Sequence, residues 1–190
     1  MPHIPVESHL PGITGLLEYR RDTAEPIRAL TETILRGPSS LTFGERELIA
    51  SIVSHRNECR FCTAAHSSVS NILLGENETC ELVKQDFETA PVSDKMKALL
   101  NIAALTQRGG TYVSPQAVER AKQAGATDME IHDTVLIAAL FCLYNKYVDG
   151  LATKMPDDNA YFDGLGARIA VSYGRSETGY DHLKKDTTHG

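Results

Sequence analysis

Thr42-Phe43-Gly44-Glu45-Arg46-Glu47-Leu48-Ile49-Ala50-Ser51-Ile52-Val53-Ser54-His55-Arg56-Asn57-Glu58-Cys59-Arg60-Phe61-Cys62-Thr63-Ala64-Ala65-His66 runs on to Leu74 and Gly75, and its reading decides the fold. Thr42 to Glu45 has the Ser/Thr-x-x-Glu form of a capping box, so a helix starts there. That helix carries Leu48, Ile49, Ile52 and Val53 toward the core until roughly Asn57 and sets Glu47 in or near its second turn. From Glu58 a further helix is predicted to about Leu74, closed by Gly75, with Cys59 and Cys62 in its first turns. A thioredoxin-like cysteine pair would follow a β-strand; here one helix hands over to another.

The same grammar extends in both directions. Pro11-Gly12 opens a short helix through Leu16 and Leu17, and a second runs from about Ala24 to Arg36, stopped by Gly37-Pro38. Ser93 or Asp94 caps a helix reaching Gln107, and Ser114-Pro115 starts another that ends near Gly125. Thr127 to Glu130 repeats the capping-box form and opens the longest apolar helix, through Val135, Leu136, Ala139, Leu140, Leu143 and Val148 to about Thr153. After a turn at Pro156-Asp157-Asp158 a last helix spans Tyr161 to Tyr173. Apolar residues recur at i, i+3, i+4 and i+7 and alternate almost nowhere, which predicts an all-α helical bundle. With no linker or internal repeat, residues 1–190 are read as one domain. Its polar tail, 174–190, is expected to be mobile unless a neighbouring subunit orders it.

Composition sets bounds without pointing to a function. A chain of 190 residues with 42% hydrophobic, 23% charged and 6% aromatic residues is an ordinary globular domain. The net charge of -6, with basic runs no longer than Arg20-Arg21 and Lys184-Lys185, argues against nucleic acid as a partner. The N-terminal residues carry neither a basic leader nor an apolar core, and no apolar run reaches the ~18 residues of a membrane span. A cytoplasmic protein with no membrane partner is the expectation. Four cysteines, two of them three residues apart, suit a redox or metal site better than a disulfide scaffold.

On an α-helix Cys59, Cys62 and His66 fall within roughly 60° of one another, and the Cα atoms of an i, i+3 pair lie about 5–6 Å apart, within a disulfide's reach. A free cysteine is only about 3% thiolate at pH 7, whereas a pKa near 6 would make it about 90% ionised. The helix N-terminus supplies partial positive charge, and His66 one turn on can take a proton. Cys62 is therefore the candidate nucleophile and Cys59 its resolving partner. Glu47, twelve residues before Cys59, would orient or protonate His66 if the two helices pack antiparallel.

Arg46-Glu47-Leu48-Ile49-Ala50, Val53-Ser54, Asn57 and Cys59 to His66 together resemble the Glu-x11-Cys-x-x-Cys-x3-His signature of AhpD-like alkylhydroperoxidases. Pro11-Gly12-Ile13, Leu35-Arg36-Gly37-Pro38-Ser39 and the 140–152 helix with Asn145, Asp149 and Gly150 extend the similarity to the peroxidase-related branch of the carboxymuconolactone decarboxylase-like superfamily. The resemblance implies a helical subunit in homotrimers or homohexamers and a thiol peroxidase cycle with no metal or other cofactor. In that cycle Cys62 attacks a hydroperoxide and becomes a sulfenic acid. Condensation with Cys59 gives a disulfide, which a dithiol such as a lipoyl group or a thioredoxin-like protein reduces. Glu47 and His66 carry over as the proton relay. AhpD itself has a histidine between the cysteines where this chain has Phe61.

Other readings stand beside this one. The pair can serve a protein disulfide reductase or electron carrier instead of a peroxidase. Cys59, Cys62, His66 and Glu47 are also acceptable zinc ligands, although structural zinc sites usually join two loops. Lactone decarboxylation rests on superfamily kinship alone. Haem attachment needs a histidine where Thr63 stands. Cys80 and Cys142 read as core thiols, His55 as an exposed helix-end residue, and Asn145 with Asp149 as an inward polar pair of structural role. Phe141 and Tyr144 read as core or interface residues.

Overall fold

The computed structural model describes residues 1–156 and 158–184. Among these residues the regular elements are all helical: α1 Gly12–Tyr19, α2 Arg21–Arg36, α3 Phe43–Arg56, α4 Arg60–Leu74, α5 Thr79–Asp86, α6 Asp94–Arg108, α7 Pro115–Gln123, α8 Asp128–Gly150 and α9 Ala160–Val171, with short 3-10 turns at Gly110–Tyr112 and Asp181–Leu183. None of the described helices is long and apolar enough to cross a membrane.

The start signals act as the sequence implies. Thr42 and Thr127 each form a complete capping box, with Glu45 and Glu130 reaching back to the cap backbone. Ser93 and Ser114 cap α6 and α7 through Met96 N–H and Ala117 N–H, and Pro115 takes the first helical position. Gly75 ends α4 in the left-handed region at φ 73°. Several boundaries move: α4 begins at Arg60 instead of Glu58, α8 ends at Gly150 instead of about Thr153, and α2 and α9 shift as well. α2 begins at Arg21 instead of Ala24, where the Thr23 hydroxyl donates to Arg20 O (3.0 Å) and Asp22 complements the helix N-terminus. α9 stops at Val171, which frees Tyr173 from the helix. The sequence reading has no counterpart for α5, whose buried face is only Cys80 and Val83. Its starting signal is Glu76, whose carboxylate accepts the backbone N–H groups of Glu78 (2.7 Å) and Thr79 (3.1 Å).

α3 is the centre of the bundle. It packs against α4, α6, α8, α5 and α2, and every residue from Arg46 to Ser54 is buried. A helix enclosed on all sides has no solvent face, so its polar residues must find partners inside. The main core joins Leu48, Ile49, Ile52 and Val53 to Leu99, Ile102, Ile137 and Phe141 of the surrounding helices. Three residues link α3 to α4, and the chain reverses there with Glu58 in the left-handed region at φ 59°. A side chain held in that region costs about 1 kcal/mol. Asn57 secures the turn, donating to Asn145 Oδ1 (2.7 Å) and accepting from Gln107 Nε2 (2.8 Å).

α9 lies along α4. The Ser68 hydroxyl donates to Phe162 O (2.9 Å), and Gly166 sits so close to Ser68 that a Cβ there would overlap its hydroxyl. Of the polar tail, Arg175 pairs with Glu18 (3.0 Å) and Tyr180 is buried, while residues 185–190 and Asp157 of the turn before α9 lie outside the described residues.

Gly166→Ala is expected to lower stability by about 1–3 kcal/mol in urea melts through overpacking. Gly164→Ala, in the same helix with open space around it, should instead be neutral or stabilising by up to about 1 kcal/mol. Equal effects of the two substitutions would remove the close α4–α9 approach as the cause.

Candidate active site

The enclosure of α3 buries Glu47 completely. Oε2 of its carboxylate lies 2.8 Å from His66 Nδ1 on α4, so the two helices bring together the acid and the imidazole. Oε1 accepts from Arg36 Nη2 at the end of α2 (2.6 Å) and from the Tyr173 hydroxyl (2.6 Å). Tyr173 O–H is also 3.4 Å from His66 Nδ1, and its ring lies under the Arg36 guanidinium at 4.8 Å. Arg36 is fixed in turn by the carbonyls of Ile169 and Leu35, each at 2.8 Å. Both oxygens of Glu47 are thus engaged, by groups from three other parts of the chain.

Burial by itself would raise the Glu47 carboxyl. The hydrogen bond from His66, the charges of His66 and Arg36 and the Tyr173 hydroxyl outweigh it, and its pKa lies below the ordinary value. Burial first, then the neighbouring Glu47 charge, pushes the Tyr173 phenol well above its ordinary value, so it stays a donor. An ionised carboxylate only accepts, so His66 Nδ1 carries the hydrogen and Nε2 is left free for another partner.

The cysteines sit in the turn and first helical residues after α3. Cys59 is the N-cap of α4, with extended backbone angles, not a residue of the helix. Cys62 is the helix's third residue. Burial leaves Cys59 0% and Cys62 3% exposed, and both are free thiols. The hydrogen bond with the Cys62 side chain, then burial and the Cys62 charge, pushes the Cys59 thiol far above its ordinary value. Cys62 lies in the first turn, where the helix N-terminus favours negative charge.

Cys62 and His66 face a cavity of about 70 Å³, whose wall also includes Phe141, Tyr144, Thr31 and Tyr173. The Phe141 ring meets His66 edge-on at 4.5 Å, and the Tyr144 hydroxyl is 2.6 Å from Thr31 Oγ1. Burial pushes that phenol up to about 12. Phe141 and Tyr144, read from the sequence as core residues, are therefore both core and cavity wall. Phe61 also lines this cavity, with its ring against Phe162 (5.5 Å) and Tyr161 (6.2 Å). Its ring also covers Gly12, whose φ of 58° and lack of a Cβ let the start of α1 close over the cysteine turn.

The remaining sequence candidates separate cleanly. His55 is exposed and lines an outer groove with Glu58 and Lys84, away from the cavity. Asn145 is buried and donates to Ser54 Oγ (3.1 Å), while Asp149 is exposed, so the expected inward pair is a single inward residue. The register of α8 explains this: Asn145 follows the buried Tyr144 toward α3 and Asp149 lies one residue past the buried Val148. Cys80 is in the core, 3.3 Å from Ser51 Oγ, and Cys142 is partly buried 3.5 Å from Asn57 Nδ2. No three His, Cys, Asp or Glu side chains converge as a metal cluster among the described residues. Arg36 and Tyr173 are the site residues that the sequence did not single out.

Residues 77–153, from just before α5 to just beyond α8, match the Carboxymuconolactone decarboxylase family, and the cysteine pair lies ahead of this segment. Among solved structures, an uncharacterized peroxidase-related protein from Ralstonia eutropha JMP134, described as an alkylhydroperoxidase AhpD core, is 24% identical at a TM-score of 0.73, covering 82% of this chain and 80% of its own. An uncharacterized peroxidase-related protein from Silicibacter sp. TM1040 matches with the same identity, TM-score and coverage. A protein of unknown function from Agrobacterium tumefaciens, provisionally assigned to AhpD-type antioxidant defence, is 19% identical at a TM-score of 0.67, covering 83% of this chain and 100% of its own. No curated protein matches. The all-α, AhpD-like bundle with its CxxC at the start of a helix is the fold of this chain.

Because the folded-state pKa of Glu47 is depressed, its contribution to stability is fully present above the unfolded value of about 4.3 and is lost as pH falls through the lower folded value. Glu47→Gln should cost about 3–5 kcal/mol at pH 7, since it leaves the Arg36 charge buried and unpaired. Urea melts should show that gap narrowing below pH ~4. A gap independent of pH would mean that Glu47 is not ionised in the folded protein.

Proposed function

We propose that this chain, AhpD-like in fold, is a thiol-dependent peroxidase in which Cys62 reduces a hydroperoxide and Cys59 resolves the product. The observation that carries the reading is the placement of Cys62 and His66 together on one small cavity, with His66 Nδ1 held 2.8 Å from a buried Glu47. Neither the family match nor the fold likeness carries it.

His66 Nε2, free because Nδ1 is committed to Glu47, takes the Cys62 proton and leaves a thiolate at the helix start. The thiolate attacks the distal oxygen of ROOH. An S–O bond forms and the O–O bond breaks, and the leaving RO⁻ takes its proton from the imidazolium. Sulfur has been oxidised to sulfenic acid and the peroxide reduced to ROH. Glu47 stabilises the imidazolium, and Arg36 with Tyr173 keeps that carboxylate in place. Cys59 then gives up its proton as it attacks the Cys62 sulfur: the S–S bond forms, the S–O bond breaks, and the departing hydroxide takes up that proton and leaves as water.

An external dithiol restores both thiols. The burial of both sulfurs favours a slender reductant such as a dihydrolipoyl arm over a globular thioredoxin-like protein. It likewise favours a small peroxide over a protein disulfide as the oxidant, which sets the disulfide-reductase alternative behind the peroxidase. Assembly into homotrimers or homohexamers belongs to the same proposal.

One equivalent of cumene hydroperoxide added to the reduced protein should remove two thiols and give a Cys59–Cys62 disulfide by mass spectrometry. Cys62→Ser should abolish the reaction. Cys59→Ser should stop at a single sulfenic acid that dimedone traps. Unchanged thiols in the wild-type protein would sink the peroxidase reading and bring disulfide exchange forward.

A further inference from the structure

We propose that the cavity beside Cys62 is built for hydroperoxides that carry a carboxylate, with Arg168 and Arg28 binding the anionic end. The inference rests on the peroxidase reading and adds to it a substrate class. The carboxylate is a handle and is unchanged by the reaction.

Among the described residues the wall of the cavity contains no aspartate or glutamate. Its permanently charged groups are Arg28 from α2 and Arg168 from α9, and much of the rest is aliphatic, including Ile13, Leu17, Ile27 and Leu165. A neutral alkyl hydroperoxide needs the aliphatic wall but gives no reason for two guanidinium groups, which normally sit against carboxylates.

The existing partners of these arginines leave them short of negative charge. Arg168 donates from Nη1 to Gly174 O at 3.2 Å and has no carboxylate within ion-pair distance among the described residues. Arg28 reaches the carbonyls of Tyr173 and Gly174 at 3.5 Å and the Tyr180 hydroxyl at 3.3 Å. Its ion pair with Glu18 is long at 3.5 Å, and Glu18 is also bound by Arg21 and Arg175, each at 3.0 Å. One carboxylate thus serves three arginines. Carbonyl and phenol oxygens satisfy N–H groups without neutralising charge, and a guanidinium offers five donors in a planar fork suited to a carboxylate.

Size limits the chain between the two ends. A cavity of about 70 Å³ holds on the order of five waters, hence a few carbon atoms, with longer chains extending outward. Arg168 also borders a neighbouring recess of about 190 Å³ lined by Tyr161, Leu183 and His182, so an anion held by it has room beside it. A charge-assisted hydrogen bond contributes enough to favour the carboxylate by about tenfold or more.

The test follows alkylation of Cys62 by iodoacetamide in the reduced protein, read by peptide mass spectrometry, and needs no peroxide turnover. Hexanoate should slow Cys62 labelling about tenfold more than hexanol at equal concentration, and added salt should shrink the difference. In Arg168→Gln the difference should fall to within about twofold, with Arg168→Lys retaining part of it. Equal protection by hexanol, equal protection by inorganic phosphate, or no protection by hexanoate in the wild-type protein would overturn the proposal. Its kinetic counterpart is a ratio within each protein, the kcat/KM of a hydroperoxy fatty acid over that of its methyl ester, which should exceed about ten in the wild type and approach one in Arg168→Gln. A protein that reduces both substrates equally is a peroxidase without this preference. One that leaves all hydroperoxides untouched fails the earlier reading instead.

Discussion

A carboxylate in the middle of a helix that is buried on every side is the constraint around which the rest of this molecule is arranged. Transferring an unpaired ionised carboxylate into a protein interior is prohibitive, so Glu47 is tenable only because Arg36, His66 and Tyr173 meet it there. Those partners come from the end of α2, the middle of α4 and the segment after α9. The packing of α9 on α4, with Gly166 allowing the approach, is what delivers Tyr173 to α3. One charge therefore ties together elements distant in sequence, and it fixes the imidazole whose other nitrogen is available for chemistry.

The cysteines depend on a second local device. If α4 began at Glu58, both thiols would project from one continuous helix. The left-handed Glu58 instead turns the chain so that Cys59 caps the helix and Cys62 occupies its first turn. The two sulfurs then differ in environment although they are close in sequence. One is fully buried with a raised pKa, and the other faces a cavity beside a histidine. That asymmetry is what the proposed division into attacking and resolving thiol rests on.

Much of this was legible in the residues. Capping boxes at Thr42 and Thr127, Ser-Pro at 114–115 and Gly75 each specify an interaction that closes within a few residues, so sequence order alone reveals them. The Glu47, Cys59, Cys62 and His66 set was legible because its spacing lies on two adjacent helices joined by a short turn. Arg36 and Tyr173 were not, because nothing local marks an arginine at a helix end or a tyrosine beyond one as facing inward. Their roles arise from contacts across 11 and 126 residues of chain. The burial of Ser51, Ser54 and Arg46 was hidden for a related reason. A helix surrounded by five others shows no amphipathic stripe, and its polar residues look like a solvent face until the neighbours are in place.

The pairing of Glu47 with Arg36 bears on how such sites evolve. A lineage that gave up its cysteines would gain nothing by dropping the glutamate, because the arginine would be stranded without a counter-charge in the interior. Dropping the arginine alone would leave the buried glutamate with only His66 and Tyr173 as partners. Losing either one singly passes through a destabilised intermediate, whereas replacing both at once does not leave an unpaired charge. Retention of this acidic residue in a descendant would record the architecture of the central helix and not the survival of thiol chemistry.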